Sequence, residues 1–349
     1  MIRGITGLQR RVVSHWGTIA RPTPANFRRR TMRVLRWNPS SYETEDDLTH
    51  ESQELRSLGI DVRCLRGAEA SLAAHIAEGC DVLVVTSGTK VGPSVIHGLS
   101  GCAILTTTSG YDHIDLNACR QHRVAVGRSP DVRRDAVVEY VMATTYALMR
   151  RLPSLQYASA RGEWCRSELP MLAPRLLRDA TAVVIGLGVI GRAMTDMFQR
   201  HGVRVIGVDP YVQVTDIAQM TLDEALPHAD LLTLHCSATA SSRGLIGASR
   251  LKMLKRGAVV VNSARGAVLN LSDAVQLLDE GHLGGLAVDV FPREPWPDLA
   301  GLTDRRGILV SPHAAGFSSD MGTLIRRSVT ESLVSWRESR QFPWPVHVG

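Results

Sequence analysis

The stretch "VVIGLGVIGRAM", residues 183–194, decides the fold of this 349-residue chain. It holds three glycines in the spacing GxGxxG: Gly186, Gly188 and Gly191. An apolar run typical of a buried strand precedes these glycines, and a helical pattern follows them to residue 199. A second apolar run, "VRVIGVD", then ends in Asp209, eighteen residues after the last glycine. The stretch therefore predicts a strand, a tight glycine turn, a helix and a second strand of one parallel sheet.

The same turn indicates a site for a dinucleotide. Without side chains, the glycines let the backbone approach a ligand closely. The free N–H groups of Val189 and Ile190, together with the dipole of the helix, favour a pyrophosphate. Asp209 lies at the distance expected for an acid that accepts ribose hydroxyls, and its charge would repel a 2′-phosphate, which favours NAD over NADP. A glycine turn in an unrelated α/β protein is the alternative.

The composition is typical of a globular protein with two domains. Apolar residues make up 44% of the chain and charged residues 21%. Six cysteines are scattered without a CxxC pair: Cys64, Cys80, Cys102, Cys119, Cys165 and Cys236. This pattern argues against a zinc site and against a disulfide framework, so we expect no metal and a reducing compartment.

The positive net charge belongs to the first residues of the chain. Residues 1–33 contain eight arginines and no acidic residue, so the rest of the chain carries a net charge of −2. We therefore do not expect nucleic acid as a partner. No apolar run reaches the length needed to span a bilayer, so we expect no membrane as a partner either. Residues 1–31 are interpreted as an extension outside the fold, either disordered or a mitochondrial presequence. The expected location is the cytoplasm, with the mitochondrion as the alternative.

Apolar strands alternate with helical segments along the whole chain after this extension. A long helix is predicted over residues 131–152, ended by Pro153, and a final one over 318–341. The fold class predicted is α/β, with two doubly wound parallel-sheet domains. The domain boundaries are an extension at 1–31, a first domain at 32–130 completed by the C-terminal helix within 317–349, and a second domain at 131–316.

Polar residues follow three predicted strands of the second domain. Arg265 comes after "VVVNSA", Glu294 ends "LAVDVFPRE", and His313 lies in "SPHAAG". Each of them alone is more often a solvated surface residue. Because the carboxyl ends of parallel strands share one edge, which the glycine turn also faces, we expect the arginine, the acid, the imidazole and a dinucleotide to meet there.

Several separate motifs resemble those of the D-isomer-specific 2-hydroxyacid dehydrogenase family. They cover roughly residues 32–340 and include "TSGYDHIDL", "GLGVIGRAM", "TLDEALPHADLLTLHC", "LKMLKRGAVVVNSARG", "LDEGHLGGLAVDVFPREP" and "SPHAAG". The resemblance implies a flavodoxin-like substrate domain, a Rossmann NAD domain, NAD as cofactor and an oxidoreductase activity. A homodimer is the expected assembly.

The resemblance also implies roles for individual residues. Arg265 would bind the substrate carboxylate and polarise the ketone, His313 would act as general acid and base, and Glu294 would pair with His313. These roles suit the bidentate guanidinium and the imidazole chemically. The positions that match cofactor contacts are Ser109, Gly186, Gly188, Val189, Ile190, Gly191, Asp209, Cys236, Ser263, Ala264, Arg265, Asp289, His313 and Gly316.

The expected substrate is a small 2-keto acid such as glyoxylate, hydroxypyruvate or a pyruvate analogue. Phosphoglycerate-specific relatives usually carry an arginine in the loop at residues 85–90, where this chain has Thr86, Ser87 and Gly88. The N–H groups of Ser87 and Gly88 can still bind a carboxylate, so 3-phosphoglycerate is kept as the alternative substrate. An NAD-binding transcriptional corepressor is the alternative function, and Glu294 argues against a formate dehydrogenase, whose pattern has glutamine.

Overall fold

A computed structural model describes residues 30–347, so the predicted extension at 1–31 lies almost entirely outside the described residues. Two α/β sheets follow one another along the chain. The first contains five parallel strands in the order β2-β1-β3-β4-β5. This is the 2-1-3-4-5 order of flavodoxin-like folds. Its strands are β1 (Met32–Trp37), β2 (Ile60–Leu65), β3 (Val82–Val85), β4 (Ala103–Thr106) and β5 (Ala125–Arg128).

The segments between these strands form the helices that cover the first sheet. They are α1 (Glu45–Ser57), α2 (Glu69–Ala77), α3 (Pro93–Gly98) and α4 (Leu116–His122). The start of α1 is fixed by a capping box, in which the Asp47 N–H donates to Thr44 Oγ1 and the Asp47 carboxylate accepts the Thr44 N–H. Glu43 thus lies before the helix, and its buried carboxylate pairs with Arg36.

The second sheet is parallel throughout. Its order, β12-β11-β10-β9-β6-β7-β8, extends the 3-2-1-4-5-6 order of dinucleotide-binding folds by one strand. Both sheets confirm the predicted fold class. The strands are β6 (Thr181–Ile185), β7 (Arg204–Val208), β8 (Ala218–Gln219), β9 (Leu231–Leu234), β10 (Ala258–Asn262), β11 (Leu283–Val288) and β12 (Ile308–Val310).

The helices of the second domain differ in one point from those predicted from the sequence. They are α5 (Arg134–Met149), α6 (Leu152–Ser159), α7 (Leu169–Leu172), α8 (Val189–Arg200), α9 (Leu222–Ala225), α10 (Ala248–Leu251), α11 (Leu271–Asp279) and α12 (Leu299–Thr303). The single helix predicted over 131–152 is wrong in its extent, because α5 ends before Arg151, which has a positive φ of 58°. Pro153 lies in the first turn of α6, where its missing N–H costs no hydrogen bond.

The chain returns to the first domain at its C-terminal end. Helix α13 (Met321–Ser339) buries Ile325, Val329 and Leu333 in the same core as Met32 and Val34. Strand β13 (Pro345–Val346) then pairs with β5 in antiparallel register, which the prediction of purely parallel sheets missed. The return of α13 to the first domain is what the predicted domain boundaries require. The boundaries themselves stay a prediction.

Candidate active site

The carboxyl edge of the second sheet presents the predicted site residues strand by strand. His313 follows β12, Glu294 follows β11, Arg265 follows β10, and Cys236 follows β9. The glycine turn follows β6, and Asp209 directly follows β7. Parallel strands lie about 4.8 Å apart, so the three strand spacings from β7 to β10 separate Asp209 from Arg265 by roughly 14 Å. An extended dinucleotide can span such a distance.

The glycine turn has two packed positions and one open position. A Cβ on Gly186, where φ is +91°, would lie 2.7 Å from the backbone nitrogen of Cys236. A Cβ on Gly191 would lie 1.8 Å from the carbonyl oxygen of Gly186. Gly188, which precedes the first residue of α8, has no protein atom within 4 Å of its Cβ position. The turn therefore leaves open space in front of a helix N-terminus, which fits a pyrophosphate.

Asp209 holds the glycine turn against the loop that follows β7. Its Oδ2 accepts the N–H of Leu187 at 2.8 Å, and its Oδ1 accepts the N–H groups of Tyr211 and Val212 at 2.8 and 3.0 Å. An ionised carboxylate has about four acceptor sites, so these three bonds leave capacity for a ribose hydroxyl. Asp209 thus combines a structural role with the predicted position for ribose.

Buried polar atoms without a protein partner lie along the middle of the edge. The Nε2 atom of His235 and the Oγ atom of Ser263 have no hydrogen-bond partner within the described residues. Burial lowers the pKa of His235 to about 4, so its imidazole is neutral at pH 7. Burial also raises the pKa of Cys236 to about 11, so this cysteine is a thiol and not a nucleophile. Unsatisfied atoms of this kind fit a polar ligand such as NAD.

Local packing determines the turn that carries Arg265. The buried Asn262 at the end of β10 accepts the Ala264 N–H at 3.1 Å and donates to the Arg265 carbonyl at 3.1 Å. A Cβ on Gly266 would lie 1.9 Å from the carbonyl carbon of Phe291, so only glycine fits there. The turn after β10 is therefore packed directly against the loop after β11.

Asp112 of the first domain holds the guanidinium of Arg265. The Nε and Nη2 atoms of Arg265 donate to Asp112 Oδ1 at 3.2 and 3.1 Å, and Nη1 donates to the Ala264 carbonyl at 2.7 Å. A Cβ on Gly110 would lie 1.5 Å from Arg265 Nη2, so this glycine makes room for the guanidinium. Of the five N–H donors, one remains on each terminal nitrogen, which leaves Arg265 able to bind a further carboxylate.

His313 and Glu294 form a direct pair. The distance from His313 Nδ1 to Glu294 Oε2 is 2.6 Å, and Glu294 Oε1 accepts the Phe291 N–H at 3.0 Å. The pairing uses the Nδ1 atom and leaves the Nε2 atom of the exposed imidazole for a reacting group. Because Phe291 also packs against the Arg265 turn, contacts link the arginine, the acid and the imidazole.

Asp289 organises the loop that carries His313. It is 1% exposed, and its Oδ1 accepts the Ser311 hydroxyl at 2.6 Å and the Ala314 N–H at 2.7 Å. Its Oδ2 accepts the Ala315 N–H at 3.0 Å, and its own carbonyl accepts the His313 N–H at 2.7 Å. The carboxylate therefore holds the segment in which His313 takes a positive φ of 55°.

The other predicted residues lie on the first domain or beside it. Ser87 and Gly88 are exposed in the turn after β3, which the Thr89 N–H closes on the Thr86 carbonyl. Ser109 is half-buried after β4, and its carbonyl accepts a bond from Arg128 at 3.4 Å. The structure does not bring Ser87 or Gly88 into a hydrogen bond with Arg265 or His313 among the described residues. Their contact with a substrate stays a prediction.

Three contributors to the site are not among the residues predicted from the sequence: Gly110, Asp112 and Asn262. Gly110 and Asp112 lie inside "TSGYDHIDL", which was quoted for its resemblance alone. A glycine and an acidic residue in a loop that follows a strand could have indicated Asp112 as a partner of Arg265. Within the described residues, no group of three potential metal ligands lies together, and no helix has the length and apolar character needed to cross a membrane.

Comparison with known proteins agrees with this geometry. Residues 142–315, about half of the chain, match the family model for the D-isomer specific 2-hydroxyacid dehydrogenase, NAD binding domain. The chain is 31% identical over 264 residues to D-3-phosphoglycerate dehydrogenase of Methanocaldococcus jannaschii, which covers 72% of this chain and 50% of that protein. It is 29% identical over 234 residues to D-lactate dehydrogenase of Staphylococcus epidermidis, covering 62% and 70%. The chain thus spans about half the length of the phosphoglycerate relatives that it matches.

Solved structures share the whole described fold. D-2-hydroxyisocaproate dehydrogenase superposes with a TM-score of 0.75 at 20% identity, over 91% of this chain and all of that one. The TT0316 protein of Thermus thermophilus superposes with a TM-score of 0.73 at 28% identity, over 90% of this chain and all of that one. With the matching NAD-binding domain and the arginine, acid and histidine in order on one sheet edge, the chain belongs to the D-isomer-specific 2-hydroxyacid dehydrogenase family.

Proposed function

We propose that the protein is an NAD-dependent oxidoreductase that interconverts a small 2-keto acid and its D-2-hydroxy acid. The observation that carries the proposal is the His313–Glu294 pair, at 2.6 Å, linked through Phe291 to the turn of Arg265. The pair can transfer a proton and Arg265 can bind a carboxylate. These are the two functions that a 2-keto acid needs from the protein during reduction.

The cofactor would lie along the carboxyl edge of the second sheet. NADH, when bound, supplies the hydride, and the protein supplies its position and the surrounding charge. Gly186, Gly188 and Gly191 with the N–H groups of Val189 and Ile190 would hold the pyrophosphate. Asp209 would accept the ribose hydroxyls. The further cofactor contacts that we propose are Ser109, Cys236, Ser263, Ala264, Arg265, Asp289, His313 and Gly316.

Arg265 would bind the substrate carboxylate with the N–H groups that its bonds to Asp112 and Ala264 leave free. A guanidinium matches a planar carboxylate with two parallel hydrogen bonds, which fixes the orientation of the keto group as well as its position. The positive charge also draws electron density from the carbonyl next to the carboxylate. Arg265 therefore both orients and polarises the substrate.

His313 would donate a proton from Nε2 to the carbonyl oxygen during reduction and accept it during oxidation. Glu294 holds the ring through Nδ1, so the Nε2 atom keeps a fixed direction. The imidazolium that would donate this proton lies against the Glu294 carboxylate, 2.6 Å from Nδ1. Glu294 is thus a positioning residue that acts through His313.

The names of the relatives support small 2-hydroxy acids as substrates, because they include D-lactate and D-3-phosphoglycerate dehydrogenases. We keep glyoxylate, hydroxypyruvate and pyruvate analogues as the first candidates and 3-phosphoglycerate as the alternative, with Ser87 and Gly88 as further substrate contacts. The transcriptional corepressor is not favoured, since the relatives are dehydrogenases. A homodimer is part of the proposal.

The test is NADH oxidation by the purified protein against a panel of 2-keto acids that includes 3-phosphohydroxypyruvate. We expect turnover with at least one acid and a loss of about a hundredfold or more in kcat for His313→Ala, which removes the proton donor. Glu294→Gln should cost less, because it keeps the shape of the pair. Equal rates for the wild type and His313→Ala, or no turnover with any acid, would refute the proposed function.

A further inference from the structure

Arg133, just before α5, is a largely buried cation for which the proposed reaction has no use. Its Nη1 atom donates to the Thr107 carbonyl at 2.8 Å, and this is the single hydrogen bond of its side chain among the described residues. No ion pair between described residues includes it, although Arg134 next to it is paired with Asp135. Buried arginines are normally paired with an acid, so Arg133 lacks the partner that its burial calls for.

Arg133 lies between the two walls of the proposed substrate site. Thr107 directly follows β4, and three residues later Gly110 makes room for the guanidinium of Arg265. On the other side, a Cβ on Gly316 would lie 2.9 Å from Arg133 Cδ, and Gly316 comes three residues after His313. The side chain thus touches both the segment that seats the carboxylate-binding arginine and the loop that carries the proton donor.

The surroundings of Arg133 favour an added negative charge. Burial lowers the pKa of Arg133, the Tyr42 phenol opposes this, and the positive charge of Arg265 lowers it further. A guanidinium nevertheless stays charged at neutral pH. Arg265 is paired with Asp112, whereas the Arg133 side chain bonds to a carbonyl alone among the described residues. In addition, the buried hydroxyl of Thr107 has no hydrogen-bond partner.

We propose that Arg133 binds a second anionic group of the substrate. The preferred 2-keto acids would then carry a carboxylate or a phosphate monoester at the end remote from the keto acid, one anion on Arg265 and the other on Arg133. Both anions accept paired bonds from a guanidinium. The turn of Thr86, Ser87 and Gly88 carries no cation for a phosphate, whereas Arg133 just before α5 would supply one. This inference rests on the proposed function and narrows its substrate class.

The experiment compares acids that differ in the second charge. One pair is 2-ketoglutarate and 2-ketovalerate, and the other is 3-phosphohydroxypyruvate and hydroxypyruvate, so the two pairs distinguish a carboxylate from a phosphate. The kcat/KM of each is measured for the wild type, Arg133→Met, Arg133→Lys and the control Arg120→Met. Methionine keeps an unbranched stem against Gly316, and Arg120 is an exposed arginine of α4.

We expect the wild type to prefer the doubly charged member of at least one pair by about ten- to a hundredfold, mainly through KM, as for hydrogen bonds between charged groups. Arg133→Met should lose this preference while the singly charged acids change little. Arg133→Lys should keep part of it, and Arg120→Met all of it. A wild type that shows no preference in either pair would overturn the inference. An Arg133→Met variant whose kcat/KM falls equally for both acids of a pair would overturn it as well.

Calorimetric titration of the same acids into the protein with NAD⁺, which has no hydride to transfer to a keto acid, separates this inference from the proposed function. A binding preference for the doubly charged acid that disappears in Arg133→Met supports the anion site even without turnover. Absence of turnover with every acid refutes the proposed function alone. Equal binding of both acids by the wild type refutes the anion site alone, and thermal unfolding of each variant verifies that it is folded.

Discussion

Replacing Asp112 by asparagine tests the contact between the two domains at the substrate arginine. The carboxylate accepts both the Nε and the Nη2 bonds of Arg265, and so aims the remaining N–H groups. Burial works to raise the pKa of Asp112, but the charge of Arg265 and the hydrogen bonds to the carboxylate together outweigh it, so the pKa lies below its usual range. Asp112 is therefore ionised at neutral pH, and asparagine removes its charge while keeping its size.

The magnitude follows from the exposure of this ion pair. Hydrogen bonds to charged groups contribute about 1.5–3 kcal/mol when they are well shielded from water. The Asp112 side chain is 52% exposed and that of Arg265 is 29% exposed. Solvent screening at this exposure reduces the contribution to about 1 kcal/mol, which corresponds to roughly fivefold. We expect Asp112→Asn to lower kcat/KM about fivefold, mostly through KM, with the affinity for NADH almost unchanged.

A double-mutant cycle with Arg265→Lys shows whether Asp112 acts through Arg265. Lysine keeps the charge but not the paired N–H groups, so Arg265→Lys alone should lower kcat/KM about ten- to a hundredfold. Groups that act as a unit are not additive, so Asp112→Asn should have little further effect in the lysine variant. The assay is NADH oxidation with a saturating cofactor and varied keto acid. Fully additive losses, or a faster Asp112→Asn enzyme, would refute the positioning role.

Three more predictions concern the cofactor site and stability. Gly191→Ala should lower the melting temperature by roughly 5 °C, because the added Cβ would overlap the Gly186 carbonyl. Gly188→Ala should have the melting temperature of the wild type but bind NADH more weakly, because the space at this position is open. Equal melting temperatures of the two variants would contradict this account of the packing. Asp209→Asn should narrow the preference for NADH over NADPH, measured as the ratio of kcat/KM values, since it removes the repulsion of a 2′-phosphate. Burial lowers the pKa of His113 to about 4 in the folded protein, from an ordinary value of 6.5. The unfolded chain therefore protonates this imidazole at a higher pH than the folded protein does, and the free energy of unfolding decreases as the pH falls from 6.5 towards 4. His113→Gln should therefore lose less free energy of unfolding than the wild type between pH 7 and pH 5 in urea titrations, and parallel losses would exclude this role.

The sequence was sufficient to predict the features that depend on local pattern. Buried parallel strands are continuous apolar runs, so the strands ending at Asn262, Val288 and Val310 could be located, and with them the residues that follow. The proline at 153 was misread because proline is unfavourable inside a helix but favourable in a first turn, and the pattern alone does not separate the two. A two-residue strand such as β13 carries no periodicity at all.

Contacts between distant segments could not be read in the same way. Asp112 and Arg265 are 153 residues apart in the chain, and they meet through the contact between the loop after β4 and the turn after β10. Arg133 stands beside Arg134 before a helix, where an arginine is usually solvated, so its burial against Gly316 had no signal in the sequence. The order of strands predicts which strand ends share an edge of a sheet. It does not predict which side chains contact residues of the other domain.

The return of the chain to its first sheet has a consequence for the order of folding. Met32 and Val34 share their core with Leu333 of α13, and β13 meets β5 across more than 200 intervening residues. Contacts of such long range form late, since the connecting segment must first be closed into a loop. On a ribosome that adds about 5–20 residues per second, roughly 10–40 s pass between the synthesis of β5 and that of β13. During this interval the second domain can fold as a complete unit while the first still exposes its apolar face, so the part of the protein that is made first is the part that is finished last.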